Sequence, residues 1–317
     1  MCAVAASWHA GEKELHRRLG IGARMEELGQ RAIRRFMPDQ HRAFFGQQPF
    51  ILTGSKDAAG QVWASMLSGA PGFISSPSPT LLRIHALPVP GDSLREALAP
   101  GHGLGTLGIE LPTRRRNRAN GRIFEVDESG FILSVEESFG NCPKYIVRRD
   151  YVPAGPAAQR AAPAVQQISG LDQEARKLIG QASTFFVASS GIGDALPDVS
   201  HRGGRPGFVE IAGDCLVIPD YAGNLFFNTL GNLLVNPSAG LLFPDFVTGD
   251  LLQLTGMTQL HGADPKAPFV PGAGSFWRFH ASGGRWQRNA FRTWPGEGEI
   301  SSFSPKLAER TQGDPAC

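Results

Sequence analysis

A chain that repeats itself is restricted to folds in which one structural unit can be built twice. In this sequence QPFILTGS (48–55) aligns with STFFVASS (183–190) at an offset of 135. The same offset carries Ser65 to Ser200, Gly69 to Gly204, and Pro71-Gly72-Phe73 to Pro206-Gly207-Phe208. Further on it carries Leu81 to Leu216, Gly105 to Gly240 and Gly121 to Gly256. A register kept at so many points implies duplication, with one insertion or deletion expected between Leu81 and Gly105.

Each half reads as β structure. FILTG and FFVAS are short apolar runs bounded by Gly and Ser, the pattern of buried strands. CLVIPD, AGLLFPDF and DLLQLTGMTQL continue it in the second half; IHALPV, LGTLGIEL and RIFEVDESGFILSVEES do so in the first. Recurrent turn signals favour antiparallel barrels over a βαβ sheet. Helices read as peripheral. GARMEELGQRAIRRF sets Met25, Leu28, Ile33 and Phe36 on one face, and Asp172 reads as the N-cap of a helix in SGLDQEARKLIGQA. YVPAGPAAQRAAPAVQQ has the composition of a linker. The expected divisions are a helical segment at 1–45, a first barrel at 46–150, a linker and helix at 151–180, and a second barrel at 181–317.

Composition narrows the function. Lys and Arg total 31 against 29 acidic residues, so charge balance favours neither nucleic acid nor membrane as a partner. The four cysteines form no CxxC pair, which argues against a disulfide framework or zinc site and for a reducing compartment. The eight histidines form no HxH or HExxH pair, so no metal is expected. The opening residues lack a secretion signal and no apolar run reaches membrane length. A cytoplasmic location follows as an expectation.

The most polar part of the repeat is DVSHRGGRPGF (198–208). Its arginines suit phosphate and its glycines admit close backbone approach; the alternative is a solvated loop. From Asp198 to Phe243 the order is Val-Ser-His-Arg, the strand LVIPD, a polar loop, a short helix ending at Asn236-Pro237, and the strand AGLLF. That order resembles the FMN-binding split barrels related to pyridoxamine 5′-phosphate oxidase. The N-terminal WHAGE and the QPFI…WAS…PGF order resemble the tandem, two-barrel branch of that family. The resemblance implies a mainly β chain of tandem FMN-binding split β-barrels with peripheral helices. It also implies an FMN in the groove between two barrels, which one chain can pair by itself or by forming a homodimer.

On that resemblance, Val199, Ser200 and Arg202 contact the flavin, with the arginine facing the phosphate, and Pro219 and Asp220 lie against the ring. Asn228, Thr229 and Asn232 belong to the helix that follows. The basic residues that relatives place before this helix are missing. Free N–H groups of a helix starting near Thr229 can take the anion instead, with Arg202 or Arg205 adding charge. A plain N-cap role for Asn228 or Thr229 is the rival. The cluster RRRNRANGR (114–122) has its Asn-Gly-Arg at an expected β-turn. Arg118, Asn120 and Arg122 share one strand face and are candidates for flavin or substrate contact; a charged strand edge and a nucleic-acid patch are the alternatives.

Other features carry less. GLGTLG (103–108) fits a dinucleotide pattern but has Pro112 where a helix is required, so it reads as strand. Trp277, Phe279 and Trp286 read as core, with Arg278 and Trp286 kept as flavin contacts only by resemblance. The expected function is hydride transfer between FMN and a small-molecule substrate or NAD(P)H, with His201 as proton donor. A non-catalytic flavin- or haem-binding module on the same fold is the alternative.

Overall fold

The computed structural model describes residues 8–151, 164–264, 266–272, 274–291 and 298–306. Three helices come first: α1 (Ala10–Arg18), α2 (Gly22–Ala32) and α3 (Asp39–Gly46). The first set of strands is β1 (Phe50–Lys56), β2 (Val62–Ser68), β3 (Ile74–Ser78), β4 (Leu81–Ile84), β5 (Gly103–Glu110), β6 (Arg115–Asp127) and β7 (Gly130–Gly140), with the single turn α4 (Leu94–Ala97) before β5. Then come β8 (Ala164–Ile168), α5 (Gln173–Gln181), β9 (Thr184–Ser190), β10 (Pro197–Gly203), β11 (Glu210–Ala212) and β12 (Cys215–Pro219). The chain continues with α6 (Asn228–Val235), β13 (Ser238–Pro244), β14 (Leu251–His261) and β15 (Phe276–Arg288).

These strands form two antiparallel sheets with one order. The first runs β2-β1-β5-β6-β7-β4-β3 and the second β10-β9-β13-β14-β15-β12-β11, with β8 added beside β15. The chain is therefore mainly β with peripheral helices. The correspondence is finer than the order. Leu104 opposes Gly121 in the first sheet and Ala239 opposes Gly256 in the second, both at the offset of 135. Each sheet also breaks register at the same place, between Asn120 and Gly121 and between Thr255 and Gly256.

The structure keeps a one-residue change between Leu81 and Gly105, since β4 maps onto β12 at 134 and β5 onto β13 at 135, and adds another. Phe50 opposes Ser68 and Thr184 opposes Gly203, so β1 maps onto β9 at 134 while β2 maps onto β10 at 135. The extra residue lies in the hairpin 191–196, which is one longer than 57–61. A further change follows β6, where the tight turn after Asp127 is replaced by the long segment 262–275. Hairpin tips tolerate such changes, and in the longer one Phe269 packs into the core of the second sheet.

Each sheet wraps its own core, and a third core lies between them. Phe50, Leu52 and Val62 of the first sheet meet Phe186, Val199 and Leu242 of the second there. The approach is close. A Cβ on Gly105 would stand 2.4 Å from the Pro197 carbonyl oxygen, and one on Gly240 would stand 2.6 Å from that of Val62. The two contacts are reciprocal at the 135 offset, which is why both positions are glycine.

Several local expectations change. Asp172 does cap α5, accepting from the Ala175 N–H at 2.7 Å. In α2 only Met25 of the expected face is buried; Leu28 and Phe36 are exposed, because the helix stops at Ala32 and Ile33 turns extended. The end of the supposed linker, 164–168, pairs with β15 as a strand, while 152–163 lie outside the described residues. No helix among the described residues is long and apolar enough to cross a membrane.

Candidate functional site

The start of α6 opens onto a cavity of about 180 Å³ between the two halves. Sequence fixes this end of the helix in an unusual way. The N-cap residue is Phe227, in left-handed conformation with φ 57°, and no side chain caps the first turn. Neither Asn228 nor Thr229 is therefore the N-cap; both are helical. The free N–H groups of that turn are a site for negative charge. Tyr145 and Leu225, also at positive φ, line the same cavity. Non-glycine residues held there cost about 1–3 kcal/mol each and cluster at functional sites.

The N-terminal WHAGE stretch holds α6 in place. His9 and Glu12 form a capping box that starts α1, and Trp8 donates from Nε1 to the Met25 carbonyl at 2.8 Å. Gly11 and Gly231 bring α1 and α6 into backbone contact: a Cβ on Gly11 would lie 1.9 Å from the Gly231 carbonyl oxygen. Glu12 then accepts from the Asn228 side-chain amide at 2.6 Å. Burial pushes the Glu12 carboxyl up to about 8.

One wall is made by β10 and the loop after β12. Ser200 and Arg202 leave the same face of the edge strand β10 and both line the cavity, as do Pro219, Asp220, Asn228 and Thr229. Thr229 Oγ1 donates to Ser200 Oγ at 2.9 Å. Arg202 pairs with Asp220 at 3.0 Å, while its buried Nε has no partner. Burial raises the Asp220 carboxyl against the opposing pull of Arg202. Arg205 is exposed and does not line the cavity.

The first half supplies the other wall through β6. Arg118 reaches across to ion-pair with Asp198 at 2.7 Å, both side chains being buried, and also bonds Ser200 Oγ and the Val199 carbonyl. Of the three residues named on β6, Arg118 lines this cavity and Asn120 and Arg122 do not. Arg118 is at the site, but its charge is matched internally. Asn120 points instead to a second, larger cavity of about 290 Å³ beneath α1, which Asn232 also lines. Arg122 lies outside both cavities, bonded to Glu136 and to the Asp194 carbonyl. Asn120-Gly121 is a register shift inside a strand pair, with Glu136 of β7 as the extra residue, and not a turn. The Val199 side chain is in the core between the sheets, and its carbonyl already accepts from Arg118.

Two cations in the cavity were missed. Arg116 bonds the Cys142 carbonyl at 2.8 Å, and burial pushes its guanidinium down to about 10. Lys144 lies over the Phe303 ring. Neither has a carboxylate partner among the described residues. Alternation along β6 puts Arg116 with Arg118, so extending that face toward the N-terminus, away from the shift, finds it. Cys142 is a free thiol on the same wall.

His201 corrects another expectation. It is 5% exposed, its ring is edge-on to Phe186, and neither ring nitrogen has a partner. Burial, with Arg116 and Arg202 nearby, holds its pKa well below the ordinary value. The imidazole is therefore neutral at neutral pH and does not titrate there. Arg278 and Trp286 do not line the cavity; Trp277, Phe279 and Trp286 are core.

No family model matches the sequence, and no curated protein matches it. Solved structures do share its fold in part. A protein from Clostridium acetobutylicum, related to general stress protein 26 of B. subtilis and described as of the pyridoxinephosphate oxidase family, is 14% identical. It covers 37% of this chain and 87% of its own, at a TM-score of 0.26. A FAD-binding protein from Mesorhizobium loti is 14% identical over 38% of this chain and 97% of its own, at 0.26. HutZ, the heme storage protein of Vibrio cholerae, is 11% identical over 43% of this chain and 97% of its own, at 0.22. At such scores these likenesses carry no argument about ligands.

Proposed function

We propose that the chain is an FMN-binding flavoprotein that transfers hydride between flavin and a small molecule or NAD(P)H, and that the cavity at the start of α6 holds the cofactor. One observation carries this reading. Ser200, Arg202, Pro219, Asp220, Asn228 and Thr229, taken from three separate stretches of sequence, line a single cavity. That cavity has an uncapped helix start, an unpartnered guanidinium nitrogen on Arg202, and two cations without carboxylates.

These residues fit a phosphorylated ligand. A phosphate of nearly two negative charges suits a helix N-terminus beside a guanidinium. In this reading Arg202 and the first turn of α6 hold the phosphate, and Tyr145, Tyr221 and Phe227 flank the ring. FMN, when bound, supplies a ring that accepts and returns a hydride. The chain's own groups bind, orient and exclude water. His201 donates or accepts a hydrogen bond as a neutral imidazole rather than delivering a proton from its charged form.

Titration of the purified protein with FMN, riboflavin and haemin tests the reading. FMN is expected to bind at least about tenfold more tightly than riboflavin, which lacks the phosphate, about 1.4 kcal/mol. Arg202→Gln is expected to narrow that ratio. Bleaching of the bound flavin by NADH or NADPH supports the oxidoreductase part. A Soret band on haemin addition, with no flavin binding, replaces the reading with haem handling.

A further inference from the structure

The internal repeat relates the cavity at α6 to a second place in the chain, where β14 crosses to β2. Arg118 on β6 bonds Ser200 Oγ and the Val199 carbonyl. At the offset of 135, Gln253 on β14 donates to Ser65 Oγ at 2.9 Å and to the Ala64 carbonyl at 2.8 Å. The match is residue for residue. Thr229, in the first turn of α6, has Leu94 as its counterpart, and Phe227 has Asp92.

The second place is filled. The Asp92 carboxylate, 2% exposed, accepts from Ser65 Oγ at 2.7 Å, from the Leu94 N–H at 2.8 Å and from the Gln287 side-chain amide, with Gln253 Nε2 at 3.5 Å. Four donors from four segments thus converge on one buried carboxylate that has no ion-pair partner among the described residues. Around it the charged residues of the α6 cavity are replaced: Met66 stands for His201, Leu67 for Arg202 and Leu251 for Arg116. At α6 the carboxylate on Arg118 and Ser200 Oγ is that of Asp198, from β10 rather than from the helix start, and Arg116, Lys144 and Arg202 Nε remain without one.

We propose that Ser65, Leu94 N–H, Gln253 and Gln287 form a second oxyanion site, symmetry-related to the one at α6 and permanently occupied by the chain's own Asp92. Of the two symmetry-related sites each chain then leaves one open to a ligand, and a small carboxylate enters the second once Asp92 is shortened. The occupancy claim stands on the Asp92 contacts alone; only the count of one flavin per chain rests on the FMN reading.

Chemical rescue tests it. The full chain carrying Asp92→Ala is heated in sodium formate and in sodium chloride at equal ionic strength and pH. Formate is expected to raise the Tm of this variant by several degrees with a saturable dose dependence. Wild type and Asp92→Asn, which keeps the shape, are expected to show no such rise. Adding Gln253→Leu to Asp92→Ala should remove it. Should Asp92→Ala fail to fold in chloride, recovery of folding in formate is the same readout. Equal responses of Asp92→Ala and wild type, or no recovery in formate, overturn the proposal. Two FMN bound per wild-type chain overturns it as well. A wild type that binds no FMN sinks the cofactor reading and leaves the formate result standing.

Discussion

The two places where one sheet reaches into the other make the same hydrogen-bonding shape with different chemistry. At β6 the crossing side chain is Arg118, ion-paired with Asp198; at β14 it is Gln253, an amide bonded to Ser65 and Ala64. The amide crossing is closed, its donors converging on the buried Asp92 carboxylate. The charged crossing borders a cavity with donors to spare. The two sheets share one strand order, and of their two crossings only the charged one borders groups that an incoming anion would satisfy.

The largest test of that difference concerns the helix at the charged crossing. α6 is clamped by α1 through Gly11 and Gly231, whereas α4 is a single turn with no such clamp described. Gly231→Val is expected to cost about 3 kcal/mol or more, because overpacking against backbone has no rotamer escape. A Tm within a degree of wild type would show that the clamp does not matter.

The crossings themselves come next. Arg118→Met leaves the buried Asp198 without its cation and is expected to cost about 3–5 kcal/mol in urea unfolding. Gln253→Met removes one of several donors around the buried Asp92 carboxylate, leaving the others in place, and is expected to cost about 1–3 kcal/mol. Equal losses would erase the distinction between an ionic and a neutral crossing.

A smaller effect separates binding from folding. Arg202→Gln is expected to weaken FMN binding about tenfold, roughly 1.4 kcal/mol, with little change in Tm. Its counterpart Leu67→Met should leave FMN binding unchanged.

The smallest expected effect depends on pH. The folded Glu12 carboxyl titrates near 8, above its ordinary value of 4.5. Between those values the folded state binds the extra proton, so stability is greatest below the lower value and declines as pH rises toward the upper one. Glu12→Gln should flatten that decline between pH 5 and 8 in Tm measurements. An unchanged slope would place the titration elsewhere.

Much of the fold was legible because β structure writes itself locally: short apolar runs, turn residues and a repeated spacing located most strands. The extra residue in 191–196 was not, since hairpin tips carry no pattern that the offset can register. Within the site, Ser200 and Arg202 were legible because a contiguous motif puts them on one face of β10. Arg116 was not, because Asn120-Gly121 looked like a turn and drew attention to the wrong end of β6. Glu12 and Asp92 were invisible for a different reason. Each acts through partners far away in sequence, Asn228 for one and Gln253 with Gln287 for the other.

The clamp between Gly11 and Gly231 also sets an order of events during synthesis. The opening helix leaves the ribosome long before the residues it must grip, so it waits, unpartnered, while the first sheet has every segment it needs. A nascent chain stalled before residue 231 would hold the strands of the first sheet, while the cavity and β13, β14 and β15 still await the rest of the chain.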